Sequence, residues 1–348
     1  MIDPTAECGH PHRMTETPPA SKISPSIDFD APGKRWGALV LAHSRDDSAW
    51  GSIRIPVGVI KNGTGPTALL IAGNHGDEYE GQIALRRLMN ETPVEDVSGT
   101  IIVLPGMNFP AVRTGTRCSP IDGGNMNRAF PGRADGTITQ IIAHYVTHHL
   151  VSRADLVLDL HSGGKTLDFV PFAATHRLPD TALADRARAA AQAFGAPVGL
   201  VMLELDDTGM LDGVVERAGK LFVTTELAGA GSSTASSNRI AWRGVRNVLR
   251  HVGILAGEVE PGEAPTRMMD MPDASCFVTS EHAGIHEPLV DLGEEVLAGQ
   301  PVARIHFLEE PGREPVVYHS ERDGLLIGRH IPGLVKTGDF LISVAVDL

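Results

Sequence analysis

The sequence predicts an α/β fold: a mainly parallel or mixed sheet with helices on both faces, followed by a small all-β region of barrel-sandwich kind. Three features lead there. Short apolar runs at 67–72, 100–104, 156–160 and 221–225 have the length and continuity of strands buried on both faces. The stretches 80–89, 138–150, 181–194 and 211–218, which fall among them, carry apolar residues at helical spacing, as crossover helices over a parallel sheet do. Beyond residue 272 this alternation gives way to short runs broken by glycine.

Taken in order, residues 1–34 are polar and proline-rich and read as a flexible leader. Cys8, His10 and His12 within it are metal-ligating types, but a metal site needs ligands fixed by surrounding structure. The character changes at Gly37, and 38–42 and 53–60 read as two edge strands opening a main unit that spans 35–256. Its last helix, over 237–255, sets Ala241, Val245, Val248, Leu249 and Val252 on one stripe. Residues 257–272, rich in Gly, Pro and acids, are expected to form a linker, and 273–348 a β-rich cap. Within the cap, 292–303 and 333–341 each place a Gly turn between apolar strand ends, an approximate internal repeat. Biotinyl and lipoyl carriers share that rhythm but present a modified lysine in the hairpin joining the halves. Residues 301–335 contain no lysine, so a structural cap is the better reading.

Composition narrows the function. Across 348 residues, 30 Lys and Arg face 43 Asp and Glu, a formal net charge of −13 that repels a phosphate backbone, so nucleic acid is not an expected partner. The three cysteines, Cys8, Cys118 and Cys276, lie far apart and match neither a disulfide framework nor a zinc ribbon, which fits a reducing cytoplasm. No apolar stretch approaches the roughly 18 residues of a membrane span, and residues 1–20 lack a basic-then-apolar leader. Neither membrane insertion nor export is expected.

The segment Leu69-Leu-Ile-Ala-Gly-Asn-His75-Gly-Asp-Glu78 runs an apolar strand directly into a His and a carboxylate three residues apart. A second buried run ends the same way at His161. The carboxyl ends of neighbouring strands in an open α/β sheet converge on one crevice, so His75, Glu78 and His161 are expected to meet there. Zinc takes such ligands at about 2.0–2.2 Å, and a catalytic site uses three of them and leaves a position for water. Either strand-end His alone would read as a turn residue; together with the His-x-x-Glu spacing they predict a zinc site. Glu226, ending the run 221–225, lies at the same sheet edge and is the candidate carboxylate that takes a proton from water and delivers it to the leaving amine. The long loop 112–132 supplies Arg113, Arg117, Asn125, Asn127 and Arg128, a set suited to a small anionic group. His144, His148 and His149 on a helix, and His43, His282 and His286, read as surface or packing residues.

Together, His75-x-x-Glu78, His161 at a strand end, Asn127-Arg128 and Glu226 resemble the zinc carboxypeptidase fold, and specifically the succinylglutamate desuccinylase and aspartoacylase family, over roughly residues 67–255. The resemblance implies one Zn2+ per subunit on His75, Glu78 and His161, Glu226 as general base and acid, Asn127 and Arg128 as a carboxylate clamp, and Arg117 as oxyanion stabiliser. It implies a small-molecule N-acylamino acid as partner and allows a homodimer. The run from Gly73 to Gly164 and the β cap most resemble members that remove acetate from Nα-acetyl-L-2,4-diaminobutyrate in ectoine breakdown. The ammonium of that substrate calls for an acid, and Glu204, Asp206 and Asp207 stand upstream of Glu226, where carboxypeptidases line the side-chain pocket.

Two other readings stay open. Desuccinylase or aspartoacylase activity would need a further pocket cation, with Arg113 and Arg133 as candidates. A metal-dependent binding protein without hydrolysis would leave Glu226 and the three-ligand pattern unexplained.

Overall fold

The apolar runs at the centre of the sequence become adjacent strands because each is too hydrophobic to leave either face in water. The computed structural model describes residues 19–348 apart from 205 and 207, so Cys8, His10, His12 and Asp207 lie outside the described residues. Strand Thr67–Ala72 pairs in parallel with Gly99–Leu104 on one side and Leu156–His161 on the other, and Leu156–His161 pairs in parallel with Leu221–Glu226. Every residue of Gly99–Leu104 and Leu156–His161 is buried.

Helices cover both faces. Glu80–Glu91, Thr181–Phe194 and Ala235–His251 pack on one side through Leu85, Leu88, Phe194, Val245 and Leu249. Ile138–Tyr145 and Leu211–Arg217 pack on the other through Ile141, Ile142, Leu211 and Val215. A Cβ on Gly244 would fall 2.2 Å from the Phe194 ring, so that glycine sets how closely the Thr181–Phe194 and Ala235–His251 helices approach. Among the described residues, no helix is long and apolar enough to cross a membrane.

Several elements depart from the sequence expectation. Residues 52–62 form an interior strand, not an edge, flanked by Gly33–Ala42 and Gly99–Leu104. Its alternating first half looks edge-like, whereas Val57, Gly58, Val59 and Ile60 are buried on both sides. Within the expected leader, Ile23–Pro25 pairs with the Gly33–Ala42 strand. Phe172–Thr175 enters antiparallel to Leu221–Glu226 and is followed by Val198–Val201. Arg267–Asp270, inside the expected linker, continues the sheet from Val198–Val201 to Phe340–Asp347. Strands of four residues are too short to show a period in the sequence.

In the C-terminal region the approximate repeat is visible as Glu295–Val296 leading to Pro301–His306, and Leu334–Val335 leading to Phe340–Asp347. Each two-residue strand crosses over. Glu295–Val296 pairs with Gly324–His330, the neighbour of Phe340–Asp347, whereas Leu334–Val335 pairs with Gly284–Pro288, the neighbour of Pro301–His306. Because Arg267–Asp270 ties this region into the large sheet, its strands reach over the carboxyl ends of the central strands.

A candidate metal centre and its cavity

The centre is built where parallel strands stop. Ala72 and Leu160 are register partners, so the turns after Thr67–Ala72 and Leu156–His161 open side by side. Gly73 adopts φ 69°, and a Cβ there would meet Val112 at 2.8 Å and Gly106 at 2.9 Å. Gly76 abuts the Ala111 backbone so closely that its Cβ would fall 2.1 Å from the carbonyl. These close approaches fold the chain back so that His75 and Glu78 both face His161.

His75 Nδ1 lies 2.6 Å from Glu78 Oε1, and His161 Nδ1 lies 3.0 Å from Glu78 Oε2. All three residues are buried, and their ligand atoms lie within 4.8 Å of one another. Each imidazole is held from behind. His161 Nε2 is 2.9 Å from Asp159 Oδ2, which Asn74 also contacts, and His75 Nε2 is 3.2 Å from Asn125 Oδ1. With Nε2–H donated to those acceptors, both Nδ1 lone pairs aim at an acidic group, an arrangement that calls for positive charge at the centre. A proton on the imidazoles would supply that charge as well. Burial alone would raise the Glu78 pKa, but His75 and His161 hold it far below the usual carboxylate range, while Asp159 and Glu78 lift His161 well above an ordinary imidazole despite its burial. Two imidazole nitrogens and one carboxylate, oriented by a surrounding hydrogen-bonded shell, fit a divalent cation of zinc type.

Glu226 is the register partner of His161. Its Oε2 is enclosed without a hydrogen-bond partner, and burial together with the nearby Glu78 carboxylate raises its pKa well above the usual value. Just beyond it, Ala228 and Ala230 hold left-handed φ values of 74° and 57°, backbone conformations that L-residues adopt only when the surroundings enforce them. Gly163 N–H donates to Ala228 O and Ala230 N–H to Leu167 O, tying this turn to the one after His161.

Arg117 reaches the centre from the long loop, its Nη1 3.3 Å from His75 Nδ1 and 3.7 Å from Glu78 Oε1. Asn127 is buried, with Oδ1 accepting the Leu211 N–H. Arg128 pairs with Asp206 at 3.2 Å, so Asp206 already has a cation as partner. His75, Arg117, Asn127, Arg128, His161, Glu204, Asp206 and Glu226 share one cavity of about 480 Å³, whose lining does not include Arg113 or Arg133. Phe277, Ile327 and Phe340 close it from the C-terminal strands, so that region forms a wall of the cavity.

The sequence did not single out Asp159 or Asp212, and it marked Asn125 only as part of the loop 112–132. A signal existed for Asp159: two residues before His161 on a strand, it shares that face. Asp212 gave none, because its neighbour His176 is 36 residues away and Glu204 belongs to a different segment. The histidines read as packing residues include His144, buried with its ring 4.5 Å from that of His148, and His282, which contacts the Tyr318 hydroxyl at 2.8 Å.

Residues 64–252, which carry these polar groups, match the succinylglutamate desuccinylase/aspartoacylase catalytic domain. The chain belongs to that family. One family relative, an N-alpha-acetyl-L-2,4-diaminobutyric acid deacetylase from Halomonas elongata, is 51% identical over 93% of this chain and 95% of its own length. The product-bound structure of the ectoine utilization protein EutE from Ruegeria pomeroyi superposes with a TM-score of 0.91 at 54% identity, covering 94% of this chain and 99% of that one. A succinylglutamate desuccinylase structure from a Silicibacter species gives 0.90 at 53% identity, covering 95% and 100%.

Proposed function

We propose that this protein is a zinc-dependent deacetylase that hydrolyses Nα-acetyl-L-2,4-diaminobutyrate to acetate and L-2,4-diaminobutyrate in ectoine catabolism. The observation that carries the reading is the convergence of His75, Glu78 and His161 beside an unpartnered Glu226 carboxylate oxygen, in a chain 51% identical to a deacetylase of that substrate. The family relationship makes the protein a deacylase acting on a linear amide.

His75, Glu78 and His161 would hold the Zn2+, which supplies Lewis acidity that polarises an acyl carbonyl and acidifies water. The chain's own groups do the rest. Asn127 and Arg128 take the substrate carboxylate, the guanidinium offering two parallel donors. Arg117 places its cation where negative charge develops on the acyl oxygen. The Glu226 carboxylate accepts a proton from the attacking water and returns it to the amide nitrogen as the C–N bond breaks. Its Oε2, enclosed without a hydrogen-bond partner, is the oxygen free to carry that proton.

A desuccinylase reading is less well supported. The cavity wall carries Glu204 and Asp212, which repel a second substrate carboxylate. Acetate release from Nα- and Nγ-acetyl-diaminobutyrate, acetylaspartate and succinylglutamate, with and without chelator, tests the proposal. Chelator-sensitive turnover confined to the Nα-acetyl compound is expected; preference for succinylglutamate or chelator-insensitive activity would reject it.

A further inference from the structure

A second polar cluster stands in the wall between that cavity, which Glu204 and Asp212 line, and a neighbouring one of about 550 Å³, which His176 and Glu216 line as well. His176 follows the strand Phe172–Thr175, Glu204 lies beyond Val198–Val201, and Asp212 and Glu216 stand one turn apart on Leu211–Arg217. His176 Nδ1 donates to Glu216 Oε1 at 2.8 Å, which turns Nε2 toward Glu204 at 3.7 Å and Asp212 at 3.9 Å. Neither separation is a hydrogen bond. Nε2 is enclosed without a partner, and Asp212 Oδ2 receives no hydrogen bond from the described residues although only 8% of its side chain is exposed. The ligand-type atoms of His176, Glu204 and Asp212 lie within 4.8 Å of one another around this gap. Three carboxylates surround a single imidazole, so negative charge is left over even when that imidazole is protonated.

Position says what fills the gap. Glu204 and Asp212 line the catalytic cavity together with Asn127, Arg128, His161 and Glu226. Asn127 Oδ1 accepts the N–H of Leu211, the residue before Asp212, so the carboxylate clamp and this acid are joined by one 3.1 Å strut. A substrate held by its carboxylate at that clamp, with its acyl group at the metal centre, has its side chain as the remaining substituent on Cα. A primary ammonium carries three hydrogen-bond donors and one charge, which matches two converging carboxylates in a partly desolvated pocket.

We infer that Glu204 and Asp212 form the subsite for the side-chain ammonium of the substrate, with His176, held by Glu216, standing behind the pair. The inference rests on the proposed deacetylase reading and adds the element that sets its side-chain specificity. Asp206, expected from the sequence for this task, pairs instead with Arg128.

The test compares kcat/KM for Nα-acetyl-diaminobutyrate and Nα-acetylnorvaline, in which a methyl group replaces the ammonium, using zinc-loaded wild type, Glu204→Gln and Asp212→Asn. The wild type is expected to favour the ammonium substrate, and each variant to lower that preference at least about tenfold, the scale of one charge-assisted contact. An unaltered preference in both variants, or a wild type that does not discriminate, overturns the subsite. Glu204 is partly exposed, so its variant keeps the comparison readable if Asp212→Asn fails to fold. A second equivalent of zinc bound by the wild type and lost in Asp212→Asn would assign the gap to a metal and overturn the inference. A wild type inactive on both compounds but active on acetylaspartate rejects the deacetylase reading and the subsite with it.

Discussion

Glu226 and His161 are register partners at the ends of two parallel strands, yet both ring nitrogens of His161 face a carboxylate at 3.0 Å or less while Glu226 Oε2 has no hydrogen-bond partner. Adjacent backbone positions thus give one side chain fixed in place and one carboxylate oxygen left available. Glu226→Gln should therefore retain stoichiometric zinc while kcat falls by about 10²–10⁴, the range associated with losing a positioned acid–base group. Metal content and turnover measured on one preparation check this; loss of zinc would make Glu226 a ligand.

Asp159 supports His161 from behind at 2.9 Å. Asp159→Asn should weaken zinc affinity about 10–100-fold. Competition against a chromogenic chelator reads the affinity, and turnover at saturating zinc should fall much less.

Arg128→Lys keeps the charge but loses the planar fork. A fall in kcat/KM of about tenfold or more is expected, because Arg and Lys are not equivalent where two carboxylate oxygens are held together. Comparable efficiency would mean that Arg128 serves Asp206 rather than the substrate.

Burial alone would lower the His176 pKa, but the Glu204, Glu216 and Asp212 carboxylates around the ring raise it to about 10. The folded state then holds a proton that the unfolded chain releases near pH 6.5. The associated stability is complete below about pH 6.5 and disappears as pH rises toward 10. Thermal unfolding of the wild type across pH 7–10 should fall more steeply than that of His176→Gln; parallel curves would refute this.

Gly244→Ala should destabilise the protein by about 1–3 kcal/mol, since overpacking a filled contact displaces its neighbours. The added Cβ would lie 2.2 Å from Phe194. Denaturant unfolding measures the change, and a Phe194→Leu background should recover part of it.

The sequence alone determined the central strands, the covering helices, and His75, Glu78, His161 and Glu226 as candidates, because continuous apolar runs have few structural options and their ends carry the polar groups. Local pattern also made the approximate repeat of the C-terminal region visible, though not the crossing of its two short strands. Tertiary structure decided what depends on distant partners. The four-residue strands are recognisable only by their pairing, and Asp206 meets Arg128, 78 residues away in the chain. Asp212 met His176 and Glu204 because the segments after Phe172–Thr175 and Val198–Val201 and the start of Leu211–Arg217 come together in the fold. Hydrogen bonds and ion pairs act over a few ångströms whatever the chain separation, so periodicity reveals which residues are buried but not which charges they will face.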